Sequence, residues 1–390
     1  MGREAVKTKE MNKYINGFVE KRNGNMLEVY GHGGDVESAA LRYGFEPEQF
    51  TDFSANINPL GPPPGMLEAL QAALPEIIRY PDPGHRALLA LLAERHGVRQ
   101  EAVCVGNGAA EIMALILLAL APGKVGVVQP CFSEYETLSR QFGAEVQAVY
   151  GTAERAYRAE PGQIVKLIAA SDLVFLGQPN NPNGVQYDVE QLRQFAEAGE
   201  RHETYIVLDE AFIDFIPPER RQSLLPELER YPHIIIVRSM TKFYAIPGLR
   251  LGYGIAHPHM AAAMRGKQVT WSVNILALRA GEISLQAGEE YETATIHAIA
   301  AERKHLSGEL ERLGCEVTPG EANYLLLGLP RPWTAEAMQE ALGQRGVLVR
   351  SCAMYPGLDA GHIRVAVKDR AANAVLIRGM EQVIGGGGEG

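Results

Sequence analysis

Lys242 stands just past the apolar run HIIIV, inside the stretch RSMTKFYAIPGLRLGY from Arg238 to Tyr253. A lysine at the end of a buried strand is costly as a cation, because lost hydration must be offset by a partner or by neutralisation. The plainer alternative is a packed stem whose ammonium reaches water. Arg250 follows eight residues later. Earlier in the chain, YIVLDEAFIDF ends a strand-like run on Asp209 and Glu210. A carboxylate there needs a cationic or hydrogen-bonding partner, either one of the protein's own arginines or lysines, or a ligand's ring nitrogen that it would keep protonated. VGNGAAE sets Gly106, Asn107, Gly108 and Ala109 between an apolar strand and a long helical stretch. Small residues there let backbone N–H groups approach an anion at a helix N-terminus, although a simple glycine turn reads the same way. Glu111 occupies the third-glycine position of a dinucleotide fingerprint and no Gly-Lys-Ser/Thr follows, so neither that motif nor a P-loop is present. In LGQPNNPNG, Asn180 and Asn181 lie between prolines, where an amide either shapes the turn or donates to a ligand oxygen.

These residues need a scaffold that brings strand ends together. KVGVVQP, DLVFLGQP, TYIVLDEAF, HIIIVRSM and LRLGYGIA read as strands, and AAEIMALILLAL and DVEQLRQFAEAGERH as helices between some of them. Apolar strands alternating with helices predict an α/β domain with a mostly parallel sheet covered on both faces. Such sheets gather ligands at the carboxyl ends of their strands, where the polar residues above fall. After Thr270 the pattern changes to a long helical stretch and shorter strands, ANYLLLGL, VLVRSC and HIRVAV, which suggests a smaller α+β domain. The expected division is an arm over 1–53 packing on the small domain, a large domain over 54–270, the small domain over 271–384 and a glycine-rich tail over 385–390.

The chain has 390 residues, 46% hydrophobic and 22% charged, an ordinary soluble composition large enough for a sizeable core. Its net charge of -10 argues against nucleic-acid or membrane-surface binding, so any anion must be caught locally. The four cysteines show no metal-ligand spacing and read as reduced, buried thiols; no metal is expected. The charged N-terminus has neither a secretory signal nor a membrane span, and a cytoplasmic protein is expected.

Taken together and in order, the glycine-rich cradle, the turn asparagine, Asp209, Lys242 and Arg250 resemble the fold-type I pyridoxal-phosphate enzymes of the aminotransferase class. That resemblance covers nearly the whole chain and implies a large domain with a seven-stranded sheet, pyridoxal 5'-phosphate as cofactor, and a homodimer. It implies that Lys242 forms a Schiff base with the cofactor and that Asp209 holds the pyridine nitrogen protonated. By the same match Asn181 bonds the phenolic oxygen, and Gly108, Ala109, Ser239 and Arg250 hold the phosphate. Phe132 in PCFSEY matches the aromatic that stacks on the ring, and Tyr80 in RYPDP a tyrosine that reaches the phosphate from the neighbouring subunit. Most aminotransferases carry a tyrosine three residues after the aspartate, where this chain has Phe212, and that departure puts transamination in doubt.

HGGDVESAA, FSANINPLGPP, DEAFIDFIP, WSVN and RSCAMYPGLD extend the resemblance to the L-threonine O-3-phosphate decarboxylases of cobalamin assembly, neighbours of the histidinol-phosphate aminotransferases. The implied reaction converts L-threonine O-3-phosphate to 1-amino-2-propanol O-2-phosphate and carbon dioxide. Arg364 in HIRVAV matches the arginine that binds substrate carboxylate. Arg350 and His32 are candidates for the substrate phosphate, Asn323 for the carboxylate end, and Asn181 borders both ligands. The rival readings are a histidinol-phosphate or related aminotransferase, and a cofactor-holding regulator without turnover.

Overall fold

A computed structural model describes residues 33–386. The chain enters through a helix, Val36–Tyr43, and the short strand β1 (Thr51–Asp52). It then builds β2 (Val103–Gly106), β3 (Lys124–Gln129), β4 (Glu145–Tyr150), β5 (Leu173–Gly177), β6 (Tyr205–Asp209), β7 (Ile234–Ser239) and β8 (Gly252–Ala256). These seven strands form one sheet in the order β2-β8-β7-β6-β5-β3-β4. All neighbours are parallel except β8, which runs antiparallel to both β2 and β7.

The continuous apolar runs are explained by burial on two faces. Along β6 and β7, Ile206, Leu208, Ile234 and Ile236 face one core, whereas Val207, Ile235 and Val237 face the other. A period of two sends alternate side chains to opposite faces, so a strand covered on both sides has no polar face to show. β4 escaped the sequence reading because it is an edge strand, with Glu145, Ala148 and Tyr150 exposed and a weak apolar signal.

Beyond the sheet, the stretch read as one long helix is two, Ile275–Gln286 and Gly288–Arg312, broken where Gly288 takes a φ of 79°. The small sheet contains β9 (Glu316–Val317), β10 (Tyr324–Gly328), β12 (Arg350–Ser351) and β13 (His362–Ala366) in the antiparallel order β12-β13-β10-β9. β11 (Val347–Leu348) pairs with β1 in parallel, Thr51 opposite Val347. The entering segment is further tied there by the Arg42–Glu340 ion pair at 2.6 Å. Ile275–Gln286 packs on the helices Met66–Ala73 and Arg86–His96, which belong to the large-sheet side. We therefore propose that the large and small units divide near Gly288 rather than at residue 271. No helix among the described residues is long and apolar enough to cross a membrane.

Candidate active site

The carboxyl ends of β2, β3, β5, β6 and β7 lie on one edge of the sheet, and the turns that follow them wall a cavity of about 450 Å³. Ala109, Phe132, Asn181 and Asp209 reach it from the first turns, and Ser239, Lys242 and Arg250 from the segment after β7. Arg350 and Arg364 enter from the small sheet. A larger cleft of about 960 Å³, lined by residues such as His96, Arg99 and His257, holds none of this set.

Lys242 sits in a single helical turn, Met240–Phe243, opened by the end of β7. Its side chain is half-buried because it opens into the cavity, yet its amine lies deep within protein. That burial, with Arg250 and Arg364 nearby, pushes the amine down to about 8 from an ordinary 10.5, against the opposing pull of Asp209. Asp209 is buried at 8% exposure. Its Oδ2 accepts from the Tyr135 hydroxyl at 2.6 Å and its Oδ1 from the Ala211 N–H at 3.1 Å. Burial raises its carboxyl, and those two donors and Lys242 draw it back. A cation arriving at the exposed part of this carboxylate would complete its compensation.

Glu210 turns the other way, and its role is structural. Its Oε2 accepts from Arg238 Nε at 3.0 Å and Nη2 at 2.7 Å, while Oε1 accepts from Ser223 at 2.5 Å. Arg238 also donates to Asp214 at 3.1 Å. The two adjacent acids of DEAF thus divide: Glu210 takes the protein's own arginine and Asp209 is left to the cavity. This buried pair links the ends of β6 and β7, the strands that carry Asp209 and Ser239.

The glycine-rich turn is built for close approach. Gly108 has φ 81°, and a Cβ there would stand 2.8 Å from Arg250 Nη2. A Cβ on Gly252 would stand 2.5 Å from the Ala109 nitrogen. Gly108 caps the helix Ala109–Leu120, and Ser239 and Thr241 share a hydroxyl contact of 2.7 Å at the cavity wall. Glu111, which breaks the dinucleotide fingerprint, accepts from the Asn107 N–H at 2.5 Å and braces the turn from outside. A helix N-terminus, two hydroxyls and a guanidinium therefore surround one spot, a donor set that fits a phosphate. With Lys242 and Asp209 in the same cavity, the set fits the pyridoxal phosphate expected from the sequence.

Arg364 donates through Nη1 to Asn181 Oδ1 at 2.7 Å and through Nη2 to the Ser54 carbonyl at 2.8 Å. Asn181 is thereby oriented with its oxygen occupied and its amide N–H groups left for the cavity. Arg350 and Arg364 are directly opposed register partners on β12 and β13, and both are buried, at 1% and 6% exposure. Arg350 lies 5.9 Å from the Tyr355 ring centroid and donates to Met354 Sδ at 3.4 Å.

Three predicted residues do not line this cavity. Gly108 lies behind it as the helix cap. Asn323 is fully buried and donates to the Asn56 carbonyl at 3.0 Å, so it holds the FSANINPLG segment rather than meeting a ligand. Tyr80 is exposed, stacked on Trp271 at 4.3 Å between ring centroids. His32 lies outside the described residues. Sequence reasoning missed Tyr135, Thr241 and Asn56, all of which line the cavity. Asn56 is 3% exposed and its Oδ1 has no protein partner among the described residues. Its signal was the asparagine pair of FSANINPLG: Asn58 proves to be the turn residue, donating to the Phe243 carbonyl at 2.8 Å next to Lys242.

Residues 48–379 match the family model for aminotransferase class I and II. The chain is 40% identical over 357 residues to the threonine-phosphate decarboxylase of Salmonella typhimurium, covering 91% of this chain and 97% of that one. It is 29% identical over 361 residues to the adenosylcobalamin biosynthesis bifunctional protein CobDQ of Leptospira interrogans, covering 91% of this chain and 41% of that longer protein. Among solved structures, the histidinol-phosphate aminotransferase of Clostridium acetobutylicum superposes with a TM-score of 0.79 at 30% identity, covering 86% of this chain and 99% of that one. With a family match over residues 48–379 and 40% identity to one relative along almost its whole length, the chain belongs to the class I and II aminotransferase family.

Proposed function

We propose that this protein is a pyridoxal-phosphate enzyme that decarboxylates L-threonine O-3-phosphate to (R)-1-amino-2-propanol O-2-phosphate and carbon dioxide in cobalamin biosynthesis. The observation that carries the substrate class is the opposed pair Arg350 and Arg364, two buried guanidiniums on adjacent strands beside Lys242. Two guanidiniums on one side of the reacting amine suit a ligand that carries two anionic groups. A phosphorylated amino acid brings a carboxylate and a phosphate. The 40% identity to a threonine-phosphate decarboxylase supports the same choice.

Bound pyridoxal phosphate supplies an electron-withdrawing ring that accepts the electron pair left when a bond at the substrate α-carbon breaks. Lys242 would hold it covalently, and Ser239, Arg250 and the backbone of the Gly108–Ala109 turn would hold its phosphate. Asp209 would serve the ring nitrogen, Asn181 would offer its amide N–H groups to the phenolic oxygen, and Phe132 would cover the ring. Arg364 fixes the substrate carboxylate and Arg350 its phosphate. The Lys242 amine, held deep in the cavity, would be placed to return a proton to the substrate α-carbon. Phe212 offers no hydroxyl to the cavity; its ring packs edge-on against Tyr324 at 4.9 Å.

A second copy of the chain completes this picture. Ile77, Ile78, Tyr80, Val269 and Trp271 are all exposed in one protomer, with Ile78 at 91%. A homodimer covers such apolar surface and lets Tyr80 serve the neighbour's cavity. The four cysteines are free and buried, which suits a reducing, cytoplasmic setting.

The amine of Lys242 sets an expected pH dependence. Only the neutral amine attacks an aldehyde, so the rate of pyridoxal phosphate uptake by the apoprotein rises with pH up to about 8 and then levels off. An ordinary lysine would keep gaining to about 10.5; stopped-flow absorbance against pH distinguishes the two. Substrate class is tested by incubating the reconstituted protein with L-threonine O-3-phosphate, L-threonine and histidinol phosphate, each with and without 2-oxoglutarate. Consumption of the phosphorylated threonine without the oxo acid supports the proposal, and turnover of histidinol phosphate that requires it favours the aminotransferase reading.

A further inference from the structure

We propose that Tyr135 is a positioning residue for Asp209, fixing the carboxylate in the orientation that faces the cofactor's ring nitrogen. This inference rests on the pyridoxal-phosphate reading above. The Tyr135 hydroxyl donates to Asp209 Oδ2 at 2.6 Å, and it makes no other hydrogen bond among the described residues. Its ring is 1% exposed, stacked on Phe175 at 5.1 Å with planes 7° apart and edge-on to Phe132 at 5.7 Å. The surrounding cluster is apolar, with Ile112, Met113 and Val207 among its members. In that setting a phenylalanine would satisfy the packing, and a phenol without a partner would be costly to bury. The hydroxyl is therefore explained by Asp209 alone.

The second anchor is the Ala211 N–H on Oδ1, so each carboxylate oxygen has one protein donor and the plane of the group is defined. Rotation of Asp209 would break both bonds at once. Burial pushes the Asp209 carboxyl up, and Tyr135 is the strongest of the groups that bring it back towards the ionised form. The phenol itself is held well above its ordinary value by burial and by Asp209, so it stays protonated and acts as a donor throughout the working pH range. Phe132 lies three residues earlier, on the cavity wall, so a single short segment, PCFSEY, supplies both an aromatic for the ring and the orientation of the acid that serves it.

The test is Tyr135→Phe, which keeps the ring, its volume and its stacking. Pyridoxal phosphate is titrated into wild-type and variant apoprotein, and kcat/KM is followed against pH. The expected result is a dissociation constant raised about tenfold or more, the scale of losing one hydrogen bond to a buried charge. The acid limb of the pH profile should also move to higher pH, because Asp209 then takes up its proton more readily. A merely structural role would not move that limb. In the Asp209→Asn background the same substitution should add less than about twofold, since a residue that acts through a partner loses its effect when the partner is gone. The proposal is overturned if the variant binds the cofactor as the wild type does with an unshifted profile, or if the two losses multiply. Wild-type protein that fails to bind pyridoxal phosphate would overturn the underlying reading instead.

Discussion

Lys242→Ala is expected to lower turnover by roughly 10⁴-fold or more, about 5.4 kcal/mol of barrier, and to abolish the visible absorption of the covalently held cofactor. The structure gives this substitution two separable consequences. Chemically, Lys242 is the only lysine lining the cavity among the described residues, so none of their other amines can take over attachment or proton return. For the fold, alanine removes a desolvated group. The amine titrates near 8 in the folded apoprotein and at an ordinary 10.5 unfolded, so between those values the unfolded chain binds more protons and stability rises with pH. Below about 8 the cost of the buried cation is fully present. The alanine apoprotein should therefore melt no lower than wild type at neutral pH, and thermal unfolding of both apoproteins at pH 7 and pH 10 checks it. Loss of activity together with loss of the fold would contradict this separation.

The second large effect belongs to Asp209. Asp209→Asn keeps the shape and the Ala211 contact but cannot carry charge, and turnover should fall by roughly 10³-fold, about 4 kcal/mol. A neutral amide cannot hold a ring nitrogen protonated, so the ring becomes a poorer acceptor of the electron pair. Because burial disfavours the Asp209 charge in the apoprotein, the asparagine apoprotein should be at least as stable as wild type. Single-turnover kinetics at saturating cofactor separate this chemical loss from weaker cofactor binding.

Much of this arrangement was legible in the sequence, for identifiable reasons. β5, β6, β7 and β8 are apolar on both faces, so their runs were unbroken, and the residues at their ends stood out as polar punctuation. Lys242, Asp209 and Asn181 were visible because each is chemically out of place beside a buried strand. Tyr135 was not, since a tyrosine on a helix that packs against a sheet is indistinguishable from core until its hydroxyl is seen on Asp209. Asn323 misled for the opposite reason: an amide at the start of a small-domain strand resembles a ligand contact, yet it holds the backbone of Asn56 from behind. The pairing of Arg350 with Arg364 across β12 and β13 was likewise out of reach, because register depends on the turn between them, and VLVRSC gave no sign of splitting into β11 and β12. The break at Gly288 was hidden inside a helical pattern that continues on both sides.

The choice between decarboxylation and transamination is where the proposed function is most exposed. L-Threonine O-3-phosphate labelled at its carboxyl carbon, given to the reconstituted wild-type protein with no oxo acid present, should release one labelled carbon dioxide for each 1-amino-2-propanol O-2-phosphate formed, over many turnovers. Label retained in the substrate, or an oxo acid product appearing in place of the amine, would contradict it.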